Sequence, residues 1–536
     1  MAATKDWKTI ADEKARSVFD TIPKEWLLPE SFMADVDETS TKDVTTVPRE
    51  CGILTPDEVD ITESYDATDL LPKIAAGQFS STAVATAFCK RAAIAQQLTH
   101  CCTEMFFDEA LNRAKFLDEY FANHKKPLGP LHGLPISLKD SFSYIGQQTT
   151  LGFVSFVERP PATFHSPLVQ ILLDLGAVLY VKTNIPQTLM TADSQNNIFG
   201  RTLNPRNLSL NAGGSSGGEG AIVAMRASLM GVGTDIGGSI RIPALCCGTF
   251  GFKPTASRIP YGGQAIPGRI GSPGVLAAAG PLTTSFRDMR LFMDTVIAKQ
   301  PWLYDHSALH MPWRSVPEKQ VLRIGVFPAD PAFPLHPPVE RAKRSALEKL
   351  KAAGHIVVEI PTAPSIEKAN HEIMDYYTLD PKAKSFRNIK ASGEPVIKSV
   401  AESPFLSKRS SPLTLDDLWE MNAIKSHYLK DWHKVFVDNQ LDVIVGQAAE
   451  TTAVPHDTFG NVPYTTLHNY MDYPALVIPY LQADKDVDVE DGFTSYKPYR
   501  AEAVDKAPIS IQVAARTHFD EELLAAAATI SEVLSK

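Results

Sequence analysis

Pro167-Leu168-Val169-Gln170-Ile171-Leu172-Leu173-Asp174-Leu175-Gly176-Ala177-Val178-Leu179-Tyr180-Val181 is the stretch that sets the fold class. Pro167–Leu175 carries a helical apolar pattern, Gly176 offers a left-handed stop, and Ala177–Val181 is an apolar run of strand length. The same step returns downstream. Strand Val321–Phe327 precedes helix Pro338–Ala353, Gly354 and strand His355–Ile360. Helix Leu415–Val437 leads to strand Leu441–Val445, Ala475–Pro479 reads as a strand, and Ile509–Ala514 precedes helix Phe519–Leu534. Upstream, Ser81 is placed to cap a helix through Ala93, Asp108–His124 is amphipathic, and Leu134–Leu138 reads as a strand.

Short apolar runs alternating with helices predict an α/β fold with a large central mixed, mostly parallel β-sheet covered by helices on both faces. Residues 1–62 are rich in charge, Pro and Thr, with a helical pattern around Trp7–Phe19, and predict an N-terminal helical extension packed on the core. Residues 63–536 predict one α/β domain. The Pro-, His- and Trp-rich segment 300–318 is the best linker candidate, but the β/α rhythm runs across it.

Composition narrows the function classes. The 536 residues are 44% hydrophobic and 21% charged, as in an ordinary globular protein. A net charge of −10 argues against a nucleic-acid partner, which calls for a clustered basic surface. Met1–Asp20 lacks the apolar run of a signal peptide, and the longest apolar stretch, Leu168–Val181, is broken by Asp174 and Gly176. The expectation is a cytoplasmic protein with no integral membrane segment. Cys51, Cys89, Cys101, Cys102, Cys246 and Cys247 show no metal spacing, so free thiols and no metal or other cofactor are expected.

The chemistry concentrates in Gly213-Gly214-Ser215-Ser216-Gly217-Gly218-Glu219-Gly220 and Gly231-Val232-Gly233-Thr234-Asp235-Ile236-Gly237-Gly238-Ser239-Ile240-Arg241. A flexible linker is one reading, opposed by the apolar helix-forming run Ala221–Met225. A phosphate loop is a second, but no Lys follows the glycines, and G-x-G-x-x-x-G is one residue wider than the dinucleotide fingerprint. A third is a nucleophile elbow on Ser215, with Asp457 and His468 as distant partners. The fourth joins both serines to Lys139, at the end of Gly133-Leu134-Pro135-Ile136-Ser137-Leu138-Lys139-Asp140.

Those segments, with Cys247–Thr255, Lys182–Gln187, Phe199–Pro205 and Phe519–Leu524, resemble the amidase-signature family over about residues 60–536. Trp7, Ile22-Pro23, Trp26, Tyr464-Thr465-Thr466 and Asp472-Tyr473-Pro474 look closest to fungal acetamidase-type amidases. The resemblance implies hydrolysis of carboxylic amides to acid plus ammonia or amine. It also implies a triad of Ser239 as nucleophile, Ser215 after a cis peptide as proton relay, and Lys139 as base.

Physical chemistry supports each role. The attacking hydroxyl must lose its proton as it attacks. A lysine has to be desolvated to be neutral near pH 7. Backbone N–H groups of Ile236, Gly237, Gly238 and Ser239 are suited to an oxyanion. Thr234 and Asp235 read as loop braces, and Arg241 as either an ion-pair partner there or a surface residue. The resemblance further implies that Leu189, Met190 and Thr191 line the acyl pocket, with the Leu189 carbonyl accepting from the substrate N–H.

A small-molecule amide is the expected partner. Dimers are common among relatives, so a homodimer is one expected state. The rival within the family is the glutaminase subunit of a tRNA-dependent amidotransferase. Outside catalysis, the rival is a binding protein of the same fold.

Overall fold

Strand-forming segments recur from residue 102 to residue 514 and build one eleven-stranded sheet. In chain order they are β1 (Cys102–Met105), β2 (Pro135–Lys139), β3 (Val178–Thr183), β4 (Met230–Asp235), β5 (Phe250–Lys253), β6 (Ala278–Thr283), β7 (Arg323–Val326), β8 (Ile356–Val358), β9 (Val443–Gln447), β10 (Ala475–Gln482) and β11 (Pro508–Ala514). Their order across the sheet is β1-β3-β2-β4-β6-β5-β10-β11-β9-β7-β8. This computed structural model describes residues 6–272, 274–403, 411–490 and 497–536, so residues 1–5 of the expected extension lie outside the described residues.

The sheet is large, central and mixed, as the sequence predicts. Its parallel character is concentrated in two blocks, β3-β2-β4 and β9-β7-β8. Antiparallel pairs run between them through β6, β5, β10 and β11, and β1 adds an antiparallel edge. The consecutive parallel neighbours, β2 with β3 and β7 with β8, are joined by segments that carry a helix, as a parallel crossover requires.

Most of the expected elements form within a few residues of their predicted ends, while the helix expected to stop at Ala93 continues to Thr99. The helix Pro167–Asp174 is followed by Leu175 and Gly176, the latter at φ 94°, and then by β3. Two details differ. The helix Ser81–Thr99 is capped by Ser80, whose hydroxyl accepts from Ala83 N–H, while Ser81 lies buried in the first turn. Gly231–Asp235, which reads as loop in the sequence, belongs to strand β4. Its small residues hide the β pattern, yet closeness demands them: a Cβ on Gly231 would overlap the Glu219 carboxyl and the Ser137 hydroxyl.

Helix Trp7–Phe19 and the turns after it put Val18, Ile22 and Trp26 into the main core cluster, and Val44 N–H donates to the Pro205 carbonyl. All six cysteines are free thiols. Among the described residues no helix is long and apolar enough to cross a membrane.

Candidate active site

Strands β2 and β4 are parallel neighbours, with Ser137 opposite Gly231, so their carboxyl ends open on the same edge of the sheet. Ligands in α/β folds gather at such ends. Lys139 is the last residue of β2 and is fully buried. Its Nζ lies 2.7 Å from Ser215 Oγ, 2.8 Å from Thr234 Oγ1 and 3.5 Å from the Thr234 carbonyl. Burial lowers the Lys139 ammonium from 10.5 to about 7, against the opposing pull of Asp235 and Glu219.

Ser215 precedes the helix Gly217–Ala224 and follows a cis Gly214–Ser215 peptide. A Cβ on Gly214 would overlap the Thr191 carbonyl, so the segment 191–193 packs directly on the chain before Ser215. Ser216 N–H donates to the Ser239 carbonyl at 3.2 Å, which ties the two serine loops together. Ser239 lies at the wall of a cleft and, among the described residues, its hydroxyl has no hydrogen-bond partner.

The turn that carries Ser239 is braced from below. Asp235 accepts from Gly238 N–H at 2.8 Å and from Ile240 N–H at 3.1 Å. Gly238 sits at φ 124°, and a Cβ there would collide with Thr465. Its N–H is therefore committed to Asp235, which removes it from the four expected oxyanion donors. The N–H groups of Ile236, Gly237 and Ser239 have no acceptor among the described residues. The sequence could not separate these four because all lie in one glycine-rich run.

Arg241 is not a surface residue. Fully buried, it bonds both oxygens of Asp235 at 3.0 Å and reaches Gln512, the Thr465 carbonyl and Asn469. Burial alone would raise the Asp235 carboxyl, but the Arg241 charge outweighs it and holds the group well below the usual range. Arg241→Leu is expected to destabilise the protein by about 3–5 kcal/mol, because it strands the Asp235 carboxylate without its partner. Denaturant unfolding measures this, and a loss below about 1 kcal/mol would contradict the account.

Thr234 does more than brace the loop, since its hydroxyl touches the Lys139 amine. Glu219, in the first glycine-rich loop, carries no sequence signal of its role. Its carboxylate accepts from Ser137 and Thr183 hydroxyls, both at 2.7 Å, and burial raises it to about 7. Ser137 lies two residues before Lys139 on the same face of β2, and Thr183 is the register partner of Lys139 on β3. Thr465 lies in the Tyr464-Thr465-Thr466 segment, which the sequence marks only as part of the family resemblance, whereas Asn469, Gln512 and Tyr377 come from far along the chain and no local pattern marks them.

Leu189, Met190, Thr191, Ala192, Ile236, Gly237, Ile242, Tyr377 and Val462 line the cleft beside Gly214 and Ser239. Thr188 and Leu189 both have positive φ. Met190, Ile236 and Tyr377 also border an outer cavity of about 360 Å³, walled by Pro267, Ile270, Val275, Leu379 and Phe386.

The alternative elbow does not assemble. Asp457 pairs with Arg201, and His468 is buried against Phe327 with Nδ1 3.1 Å from the Tyr464 carbonyl. Among the described residues no group of three or more His, Cys, Asp or Glu side chains could hold a metal ion.

A buried lysine meeting a serine at the carboxyl edge of a mixed α/β sheet fits a hydrolase that works through hydroxyl chemistry. The family model described as Amidase matches residues 83–524, and the chain belongs to the amidase family. It is similar to an amidase of Gibberella moniliformis, 42% identical over 99% of both chains. It is similar to an acetamidase of Emericella nidulans, 38% identical over 98% of both. Among solved structures it resembles a fatty acid amide hydrolase at TM-score 0.93 and 34% identity, covering 99% of this chain and 96% of the other. The protein is a hydrolase acting on amide C–N bonds.

Proposed function

We propose that Ser239, Ser215 and Lys139 carry the hydrolysis. The observation that carries this reading is the contact between the buried Lys139 amine and Ser215 Oγ at 2.7 Å. Ser239 Oγ attacks the substrate carbonyl carbon as its proton passes to Ser215, whose own proton moves to neutral Lys139. The oxyanion meets the N–H groups of Ile236, Gly237 and Ser239. The C–N bond then breaks, and the leaving nitrogen takes the proton back through Ser215. Water attacks the acyl-enzyme by the same relay, releasing the acid and restoring Ser239. Arg241, Asp235 and Thr234 hold these groups in place.

Leu189, Met190 and Thr191 form the acyl wall in this reading, with the Leu189 carbonyl accepting from the substrate N–H. The acyl group extends past acetyl into the outer cavity, a space of about 360 Å³ that a two-carbon acid would leave unfilled and whose wall joins Ile270, Val275, Leu379 and Phe386 to the polar Arg269, Asp380 and Lys384. The likeness to a fatty acid amide hydrolase points the same way. Each buried methylene is worth roughly 0.8 kcal/mol. Across primary amides from two to ten acyl carbons, kcat/KM is therefore expected to rise at least a hundredfold. A maximum at acetamide would sink the substrate assignment and leave the chemistry intact.

A cytoplasmic homodimer completes the reading. The free thiols suit a reducing compartment, and the dimer rests on the family resemblance. The division into an extension, residues 1–62, and one α/β domain, residues 63–536, is supported by Val18, Ile22 and Trp26 packing into the main core. Glutamine-dependent amidation of charged tRNA, seen only with added partner subunits, would instead favour the amidotransferase role.

A further inference from the structure

We infer that Tyr377 is a positioning residue that aims the Gly237 N–H at the substrate oxyanion and divides the catalytic cleft from the outer cavity. This inference rests on the oxyanion site proposed above. Tyr377 ends the helix Ile366–Tyr377, far in sequence from both serine loops. Its hydroxyl donates to the Ile236 carbonyl.

The consequence follows from peptide geometry. The Ile236 carbonyl and the Gly237 N–H belong to one peptide unit. A trans peptide is planar, and its C=O and N–H point in opposite directions. Only Gly214–Ser215 is cis among the described residues, so the Ile236–Gly237 unit is trans. Fixing the carbonyl toward Tyr377 therefore turns the Gly237 N–H the other way. Gly237 and Ser239 both line the cleft, and the Gly237 N–H, turned away from Tyr377, is assigned to the Ser239 side of that space.

The next peptide is held by the same device. Thr465 Oγ1 donates to the Gly237 carbonyl at 2.8 Å, and the Gly238 N–H on the opposite side goes to Asp235. Of the two pinned units, the one held by Tyr377 has its N–H free. Glycine at 237 has no side chain to resist rotation of this unit, so an external anchor is needed to keep the donor in place. Preorganised donors of this kind act in the transition state because they need no reorientation as charge develops.

The ring has a second use. Tyr377, with Met190 and Ile236, borders both the cleft and the outer cavity. An acyl chain passing from one to the other must run along that ring. The hydroxyl thus bears on the chemical step, and the ring on the length of chain accepted.

The test uses the full-length enzyme with the amide series. Tyr377→Phe removes only the hydroxyl and is expected to lower kcat about tenfold at every acyl length, with KM within twofold. A trifluoromethyl ketone, which forms an oxyanion on the enzyme, should lose affinity by the same factor. Tyr377→Leu should show the same drop in kcat and also move the preferred acyl length. A kcat within twofold of the parent in Tyr377→Phe would overturn the inference. So would a loss confined to KM, or unchanged ketone affinity. If Tyr377→Phe does not fold, the ketone comparison in Tyr377→Leu decides by the same criterion. Failure of the Ser239 assignment would show separately, as activity surviving in Ser239→Ala.

Discussion

Ser239→Ala is expected to lower kcat for amide hydrolysis by about 10⁴- to 10⁶-fold, because it removes the hydroxyl proposed to form the acyl-enzyme. The residual rate would come from the oxyanion donors and from binding alone. A fluorophosphonate probe should label the parent enzyme at Ser239 and leave the variant unlabelled. Ser215 sits closer to the lysine and follows the more motif-like glycine run, so the choice between the serines is a real one. Ser239 is assigned the attack because it lies on the turn with the free N–H groups and lines the cleft. Ser215 is hydrogen-bonded to the base, as a relay must be. Labelling of Ser215, or full activity in Ser239→Ala, would reverse the two roles.

The second large effect concerns Lys139. Burial brings its ammonium down to about 7, so about half is neutral at neutral pH, whereas an exposed lysine is almost wholly charged there. The neutral amine is the form that accepts a proton. Activity should therefore be low below the Lys139 value, rise with pH through about 7 and level off above it. Lys139→Ala is expected to lower amide turnover by about 10²- to 10⁴-fold, the usual range for a lost general base. Ester turnover should fall less, since an ester's leaving oxygen needs less protonation. Equal losses on the two substrates, or an amide rate independent of pH between 6 and 8, would remove Lys139 from the proton path.

Glu219 supplies a check on the sign. When ionised it favours the charged form of Lys139, so Glu219→Gln should move the acid limb to lower pH. Asp235 acts in the same direction, but it is committed to Arg241 and to the turn.

Much of this was legible because the relevant signals are local. Helix Pro167–Asp174, its glycine stop and strand β3 follow from periodicity within fifteen residues. The lysine and both serines sit in compact motifs, and the structure brings Lys139 and Ser215 into contact. Strand β4 was not legible, because Gly231 and Gly233 erase the alternation of side chains that marks a strand. The true extent of the antiparallel centre was hidden too, since pairing direction depends on where distant strands meet.

The sequence by itself determined the α/β class, the amidase family and the three residues around which the chemistry is proposed. These are properties of short segments whose residue types have few other uses in such combinations. Only the tertiary structure decided how those residues are supported. It removed the Gly238 N–H from the oxyanion donors by giving it to Asp235, and it buried Arg241 among Gln512, Asn469 and Thr465. It also set Tyr377 against the Ile236 carbonyl. Each of these contacts joins positions more than a hundred residues apart or depends on the direction of one backbone N–H. No local pattern of side chains encodes either.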